Sequence, residues 1–377
     1  MKAGILFPLS TAHPGIGADF MDGLQTFLKQ QGVSDSISFI KEGVAFGGVE
    51  KEVYQKAEKL LISDEVDILI AYVDEKVLPV LYPLIQATGK LMLVINPGAN
   101  YPVNWITQPN VIHLNLQHAF LCWLTGALAA ASTNGHAVLA TSYYDCGYLH
   151  TAAMVKNFME QGGTIRHNYI NNQAYDDGFE IKQLTDFLSV NANCKNLLCV
   201  FDEKPASLFF SSLDQYAAAS ALHLFVSPMM LSSKLLNSTI KKSSCTITGY
   251  LPWYTDMENE TSLLFVKSCT RPATIFSLLG WETGMILETI WQQGTVTNVD
   301  AVVDHLKTKT ISSPRGILKL DSETQFYIAP VAKYSLKAGA DAAQIEWIHN
   351  VDNEWKAFTT MPTEGAVTGW TNTYLCY

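Results

Sequence analysis

Short, continuous apolar runs recur along the chain, each followed by a stretch with helical periodicity, and this rhythm narrows the fold more than any other feature. "GILFPL" precedes Phe20, Leu24, Phe27 and Leu28, which fall at i, i+4, i+7 and i+8 on one helical face. The series continues through "SISFI", the helical "EKEVYQKAEKLLISDE", the strand "VDILIAYV", the helical "KVLPVLYPLIQAT" and the strand "LMLVIN". A strand that is apolar without alternation is covered on both faces, and a helix between successive strands returns the chain for parallel pairing. The first part of the chain therefore reads as an α/β unit with a doubly wound parallel sheet.

A second series starts near residue 120. It runs from helix "HAFLCWLTGALAAAS" through strand "HAVLATSYY", helix "YLHTAAMVKNFMEQ", strand "TIRHNYI", helix "FEIKQLTDFLSV", strand "NLLCVFD" and helix "PASLFFSSLDQYAAAS" to strand "LHLFVSP". A chain of 377 residues exceeds what one hydrophobic core organises, so the repeat of the pattern predicts two doubly wound lobes. Beyond "CTITGYLPW" the rhythm changes. Helices "ETSLLFVKSC", "TIFSLLGWETGMILETIWQQ" and "NVDAVVDHLK" lead to the turn "SPRG". Then come "ILKLD", "FYIAPVAKYSLK" and "IEWIHNV", which suit antiparallel strands.

Composition excludes several functions. With 25 basic against 35 acidic residues the net charge is −10, which argues against nucleic acid as a partner. The longest apolar stretches, such as "FLCWLTGALAAA", fall short of the roughly 18 to 20 residues that span a bilayer. Seven cysteines show no Cys-x-x-Cys spacing and no paired histidines, so no metal and no cofactor is expected, and the odd count leaves at least one thiol outside an internal disulfide. No Gly-x-Ser-x-Gly elbow, HExxH or P-loop is present, and the expectation is a protein without catalytic residues.

The opening loop, "STAHPGIGADF", carries Gly15 and Gly17 just before the first helix. A dinucleotide turn needs Gly-x-Gly-x-x-Gly set tightly against its strand, whereas here the third position is Phe20 and Ser10 to Gly15 intervene. An ordinary strand-to-helix loop is one reading. The other is that Ser10, Thr11 and His13 hold a small ligand with the help of the helix N-terminus, whose first N–H groups lack partners.

The order of elements and several phrases resemble the type I periplasmic binding proteins of the branched-chain amino acid (Leu/Ile/Val) branch, the substrate-capturing subunits of ABC importers. The carrying stretches are "GILFPLSTAHPGIGADFMDGLQTFLKQQG", "LMLVINPGAN", "ATSYYDCGYLHTAAMVKNFMEQGG" and "SPRGILKLDSETQFYIAPVAKYSL". The resemblance implies two lobes joined by three crossings, with a ligand held in the cleft as hinge motion closes them. It places residues 1–119 plus 246–328 in the N-terminal lobe and 120–245 plus 329–377 in the C-terminal lobe.

In open parallel sheets ligands bind beyond the carboxyl ends of the strands, which selects the candidate residues. In the first lobe these are Ser10, Thr11 and His13, then Tyr72 and Asp74, then Asn96, Ala99 and Asn100. The family uses hydroxyls and backbone N–H groups at the last position for an amino acid carboxylate. "NPGAN" carries asparagines there, which donate to an anion or accept from an amine. Each has a plainer alternative: Asn96 and Asn100 as loop formers bonded to their own backbone, Asp74 as a helix cap and His13 as a surface residue. In the second lobe "SYYDCGY" offers Tyr143, Tyr144 and Tyr148, with Asp145 as acceptor or helix cap, and "FDEKPAS" offers Asp202 and Glu203, as ammonium partners or caps. Trp253 and Tyr254 of "PWYTD" close over a ligand or pack at a hinge. His113 stands where the family often has an arginine.

The resulting expectation is a monomeric, non-catalytic protein that captures a small polar solute, an amino acid or related compound, and delivers it to an ABC permease. A location outside the cytoplasmic membrane goes with that role. A ligand-sensing regulator of the same fold in the cytoplasm is the alternative if Met1 is the native start.

Overall fold

The computed structural model describes residues 1–102, 104–132, 135–143, 148–171, 179–294, 298–361 and 372–375. The chain divides into two units, the first comprising Met1–Leu116, Thr255–Ala329 and Tyr374–Tyr377, the second Gln117–Tyr254 and Pro330–Thr373. It passes between them four times, because Tyr374 and Leu375 lie with the first unit, where three crossings were expected.

The first segment lays down β1 (Lys2–Phe7), α1 (Ile16–Gln30), β2 (Ser38–Gly43), α2 (Glu50–Glu58), β3 (Ile68–Tyr72), α3 (Leu78–Thr88), β4 (Leu91–Asn96) and β5 (Val111–Asn115). They form an all-parallel sheet in the order β2-β1-β3-β4-β5. Every residue of β3, β4 and β5 is buried, as unalternating apolar strands require. The helix expected from Glu50 to Glu65 ends its α-turns at Glu58 and continues as a π-turn over Lys59–Ser63.

The second segment contributes α4 (His118–Ser132), β6 (His136–Ser142), α5 (Leu149–Glu160), β7 (Thr164–Asn171), α6 (Lys182–Val190), β8 (Asn196–Val200), α7 (Glu203–Leu213), β9 (His223–Val226), α8 (Ser233–Ser238) and β10 (Thr246–Leu251). After it come α9 (Glu260–Ser268), α10 (Ile275–Gln292), α11 (Val299–Thr308), β11 (Thr310–Ser313), β12 (Gly316–Leu320) and β13 (Tyr327–Ile328) in the first unit. Then β14 (Val331–Leu336), β15 (Gln344–Ile348) and α12 (Asp352–Thr359) complete the second. The seven-stranded sheet of the second unit has the order β15-β14-β10-β9-β8-β6-β7, with β14 antiparallel to β10 and β15 to β14.

Two expectations change here. β10 is hydrogen-bonded between β9 and β14, which puts residues 246–254 with the second unit rather than the first. "FYIAPVAKYSLK" is two strands. Its break at Ala329 and Pro330 is the passage between units, where proline's missing N–H ends the ladder.

Helices α1 and α10 of the first unit touch backbone to backbone. A Cβ on Gly23 would lie 1.9 Å from the Ser277 carbonyl oxygen, and one on Gly280 would lie 1.9 Å from that of Phe20. Trp281 sits beside this contact, fully buried, with Phe27 and Phe265 edge-on at 5.2 and 5.3 Å. The N-terminus of α10 is fixed by a capping box between Thr274 and Ser277. Cys122, Cys194, Cys199, Cys245 and Cys269 are free thiols, and Cys146 and Cys376 lie outside the described residues. No helix among the described residues is long and apolar enough to cross a membrane.

Candidate functional site

Strand order shows where the winding of each sheet reverses. In the first, the chain moves from β1 to β2 on one side and then to β3 on the other, so the winding reverses between β1 and β3. In the second it reverses between β6 and β8. The loops beyond the carboxyl ends of such a strand pair diverge to opposite faces and leave a crevice. Ser10, Thr11, His13, Tyr72 and Asp74 follow the first pair, and Tyr143 and Asp202 follow the second.

The loop after β1 is organised from within. The Ser10 hydroxyl oxygen accepts from the His13 backbone N–H at 3.0 Å, forming a turn, and Thr11 is exposed. The His13 ring lies between Phe276 and Tyr374, each with its centroid 5.3 Å away. Gly17 serves packing, since a Cβ there would meet the Phe7 ring at 2.2 Å. That contact gives Gly17 a role in seating α1 on β1.

Tyr72 closes β3 as a core residue. It is fully buried with its ring edge-on to Phe20 at 5.4 Å, and burial, helped by the Asp19 carboxylate, pushes its hydroxyl pKa well up. Its hydroxyl has no hydrogen-bond partner among the described residues.

The loops after β3 and β4 are tied together by side chains. Asp74 Oδ1 accepts from the Lys76 backbone N–H at 3.0 Å, capping the 3-10 turn Glu75–Val77, and from Asn100 Nδ2 at 3.2 Å. Asn96 Oδ1 accepts from the Gly98 and Ala99 N–H groups at 2.7 and 3.2 Å, an Asx turn. Its amide nitrogen reaches the Asn100 carbonyl oxygen at 3.2 Å and Glu75 Oε1 at 3.4 Å. Both the cap and the backbone-bonded asparagine foreseen as plainer alternatives are therefore present. Glu75 was not among the candidates, yet it is only 5% exposed. Its Oε1 lies 3.5 Å from His113 Nδ1. The His113 ring in turn lies flat on Phe326, with centroids 4.0 Å apart and planes 9° apart. The acidic pair after β3 was the available signal, and the 3-10 turn that follows buries both of its members.

In the second unit, Tyr143 follows β6 with 62% of its surface exposed, and its N–H donates to the Asn171 carbonyl oxygen at 3.0 Å. Tyr148 is buried at the N-cap of α5, and Trp253 is buried after β10. Asp202 caps α7, with Oδ1 accepting from the Glu203 N–H at 2.7 Å. It also raises the affinity for a proton of His150, a fully buried imidazole whose pKa burial pulls down to about 4. Tyr144 and Asp145 lie outside the described residues. Among the described residues no group of three or more His, Cys, Asp or Glu side chains could hold a metal ion.

The fold recurs in solved structures. A solute-binding protein of an ABC transporter from R. palustris in complex with benzoate shares 21% identity at a TM-score of 0.69, over 93% of this chain and 97% of that one. One from Rhodopseudomonas palustris with 3,4-dihydroxybenzoic acid shares 14% at 0.73, over 94% and 99%. A leucine-binding protein from Thermotoga maritima shares 13% at 0.64, also over 94% and 99%. No curated protein matches the chain. A sequence model of the periplasmic binding proteins matches residues 4–341, nearly the whole chain, and with it the strand order and paired units have their explanation: the chain belongs to the periplasmic binding protein family and is a binding protein rather than an enzyme.

Proposed function

We propose that the protein is the solute-capturing subunit of an ABC importer, working outside the cytoplasmic membrane and delivering a small polar solute to a permease. The observation that carries this reading is the family match over residues 4–341 on two doubly wound units, each ending in loops at a winding reversal. Ser10, Thr11, His13, Asp74, Asn96, Ala99 and Asn100 in one unit, with Tyr143, Tyr144, Tyr148, Asp202 and Trp253 in the other, are the proposed solute-facing loop residues, supported by that position. Tyr72 acts behind them, as the buried end of β3. Proteins of similar fold are described in complex with benzoate and 3,4-dihydroxybenzoic acid, and one as a leucine-binding protein, so small organic solutes are the class to search.

The test is a thermal-shift screen of the full chain against amino acids, amides, aromatic acids, organic acids, amines, nucleosides and sugars. A solute at 100 times its Kd adds about 2.7 kcal/mol, a rise of roughly 3 °C for a chain of this size. One chemically coherent group of shifts supports solute capture. A flat response to the whole panel, from protein shown by mass spectrometry to carry nothing, sinks it.

A further inference from the structure

Resting on that reading, we infer that the β3 and β4 loops of the first unit receive a protonated nitrogen group, a primary amine, amidinium or guanidinium, and turn away a carboxylate. The basis is a count of hydrogen-bonding groups. An anion at this edge needs N–H donors, and inside the loops both donors of the Asn96 amide and one of the two on Asn100 are already used. Asn96 Nδ2 goes to the Asn100 carbonyl and to Glu75, and Asn100 Nδ2 goes to Asp74. The backbone N–H groups of Gly98 and Ala99, which could have cradled an anion, are taken by Asn96 Oδ1.

Acceptors remain. Glu75 Oε2 and Asn100 Oδ1 are buried atoms with no hydrogen-bond partner among the described residues. Asn100 cannot reverse its amide to cure this, because the flip would set its oxygen against Asp74 Oδ1, now 3.2 Å from the nitrogen. A buried acceptor without a donor costs about 1–3 kcal/mol, more for a charged group, so a donor supplied by a ligand is rewarded twice over. Asp74 and Glu75 are consecutive acids, both buried at 3% and 5% exposed. Charge-assisted N–H···O bonds from a cation are strong in such surroundings, and a second anion is repelled. Lys76, between these acids and α3, is exposed, and the imidazole of His113 faces Glu75 from β5.

Benzamidinium and benzoate make a decisive pair, equal in shape and opposite in charge, with agmatine as a flexible guanidinium that also carries an amine. Each is titrated calorimetrically into the full chain at pH 7. At least one of the two cations binds, benzoate does not, and Glu75→Gln weakens the cation at least tenfold, while Glu50→Gln at an exposed position leaves it unchanged. Asn100→Ala, on the half-buried loop, weakens it severalfold and covers the case in which Glu75→Gln does not fold, which circular dichroism reports. Binding of benzoate with neither cation bound overturns the inference, as does cation binding indifferent to both Glu75→Gln and Asn100→Ala. In either case solute capture stands. If no member of the broad solute panel shifts the melting temperature, the reading beneath it falls as well.

Discussion

Arg315 meets Glu282 in a two-pronged ion pair sealed from solvent, with Nε 2.8 Å from Oε1 and Nη2 3.0 Å from Oε2. Both side chains are 0% exposed. Arg315 Nη2 also donates to the Asn115 carbonyl at 2.9 Å, and the Ser313 hydroxyl donates to Glu282 Oε1, so the pair pins α10, the β11–β12 turn and the end of β5 together. Removing one member leaves the other charge buried and alone, which costs about 3–5 kcal/mol. Arg315→Met alone should lower the urea midpoint sharply, and the double variant Arg315→Met with Glu282→Leu should recover much of that loss. A single variant as stable as the wild type would show that the pair does not hold the unit together.

The α1–α10 contact gives a second expectation. A methyl group on Gly280 would have to displace the Phe20 carbonyl, which is backbone and cannot rotate aside. Forcing the helices apart costs about 1–3 kcal/mol in strain and lost packing around Trp281. Gly280→Ala should therefore lower the thermal midpoint by several degrees, whereas Gly43→Ala, where a Cβ meets nothing within 4 Å, should change it little. Equal effects at the two positions would remove the steric argument.

These two contacts mark the limit of what the chain discloses in one dimension. The parallel strands were readable because burial on both faces writes an unalternating apolar run, as in "LMLVIN" and "VDILIAYV". The placement of β10 was not, because its partner β14 lies more than 80 residues downstream and nothing in "CTITGYL" encodes that pairing. At the candidate site, Asn96 and Asp74 were visible as strand-end polar residues, and their bonds to nearby backbone are local enough to anticipate. The bond from Asn100 to Asp74 spans 26 residues and depends on β3 and β4 lying side by side. Glu75 shows the same limit: only the 3-10 turn decides that it goes inward while Lys76 stays out.

Asn96 is expected to govern both order and selectivity of its loop. Asn96→Ala removes the acceptor for two N–H groups, a loss of about 1–2 kcal/mol by analogy with helix caps. It also frees those N–H groups, so the variant should gain affinity for benzoate as it loses affinity for benzamidinium. Asn96→Asp keeps the acceptor but sets a carboxylate against the Asn100 carbonyl and Glu75, and should be the less stable of the two at pH 7 and recover at lower pH. Calorimetry and melting curves on both variants check this, and unchanged anion affinity in Asn96→Ala would contradict it.

His150 sets the acid limit of the second unit. Its imidazole is fully buried, and desolvation brings its pKa from the usual 6.5 to about 4, against an opposing pull from Asp202. The folded form therefore holds the proton less tightly than the unfolded chain, and the associated stability is complete above pH 6.5 and lost as pH falls toward 4. The loss is about 2 kcal/mol at pH 5 and approaches about 3 kcal/mol below pH 4. His150→Gln, which cannot take up a proton, should start less stable at pH 7.5 but lose less between pH 7.5 and 5. Urea midpoints at the two pH values for wild type and variant provide the comparison, and parallel losses would show that another group controls the acid response.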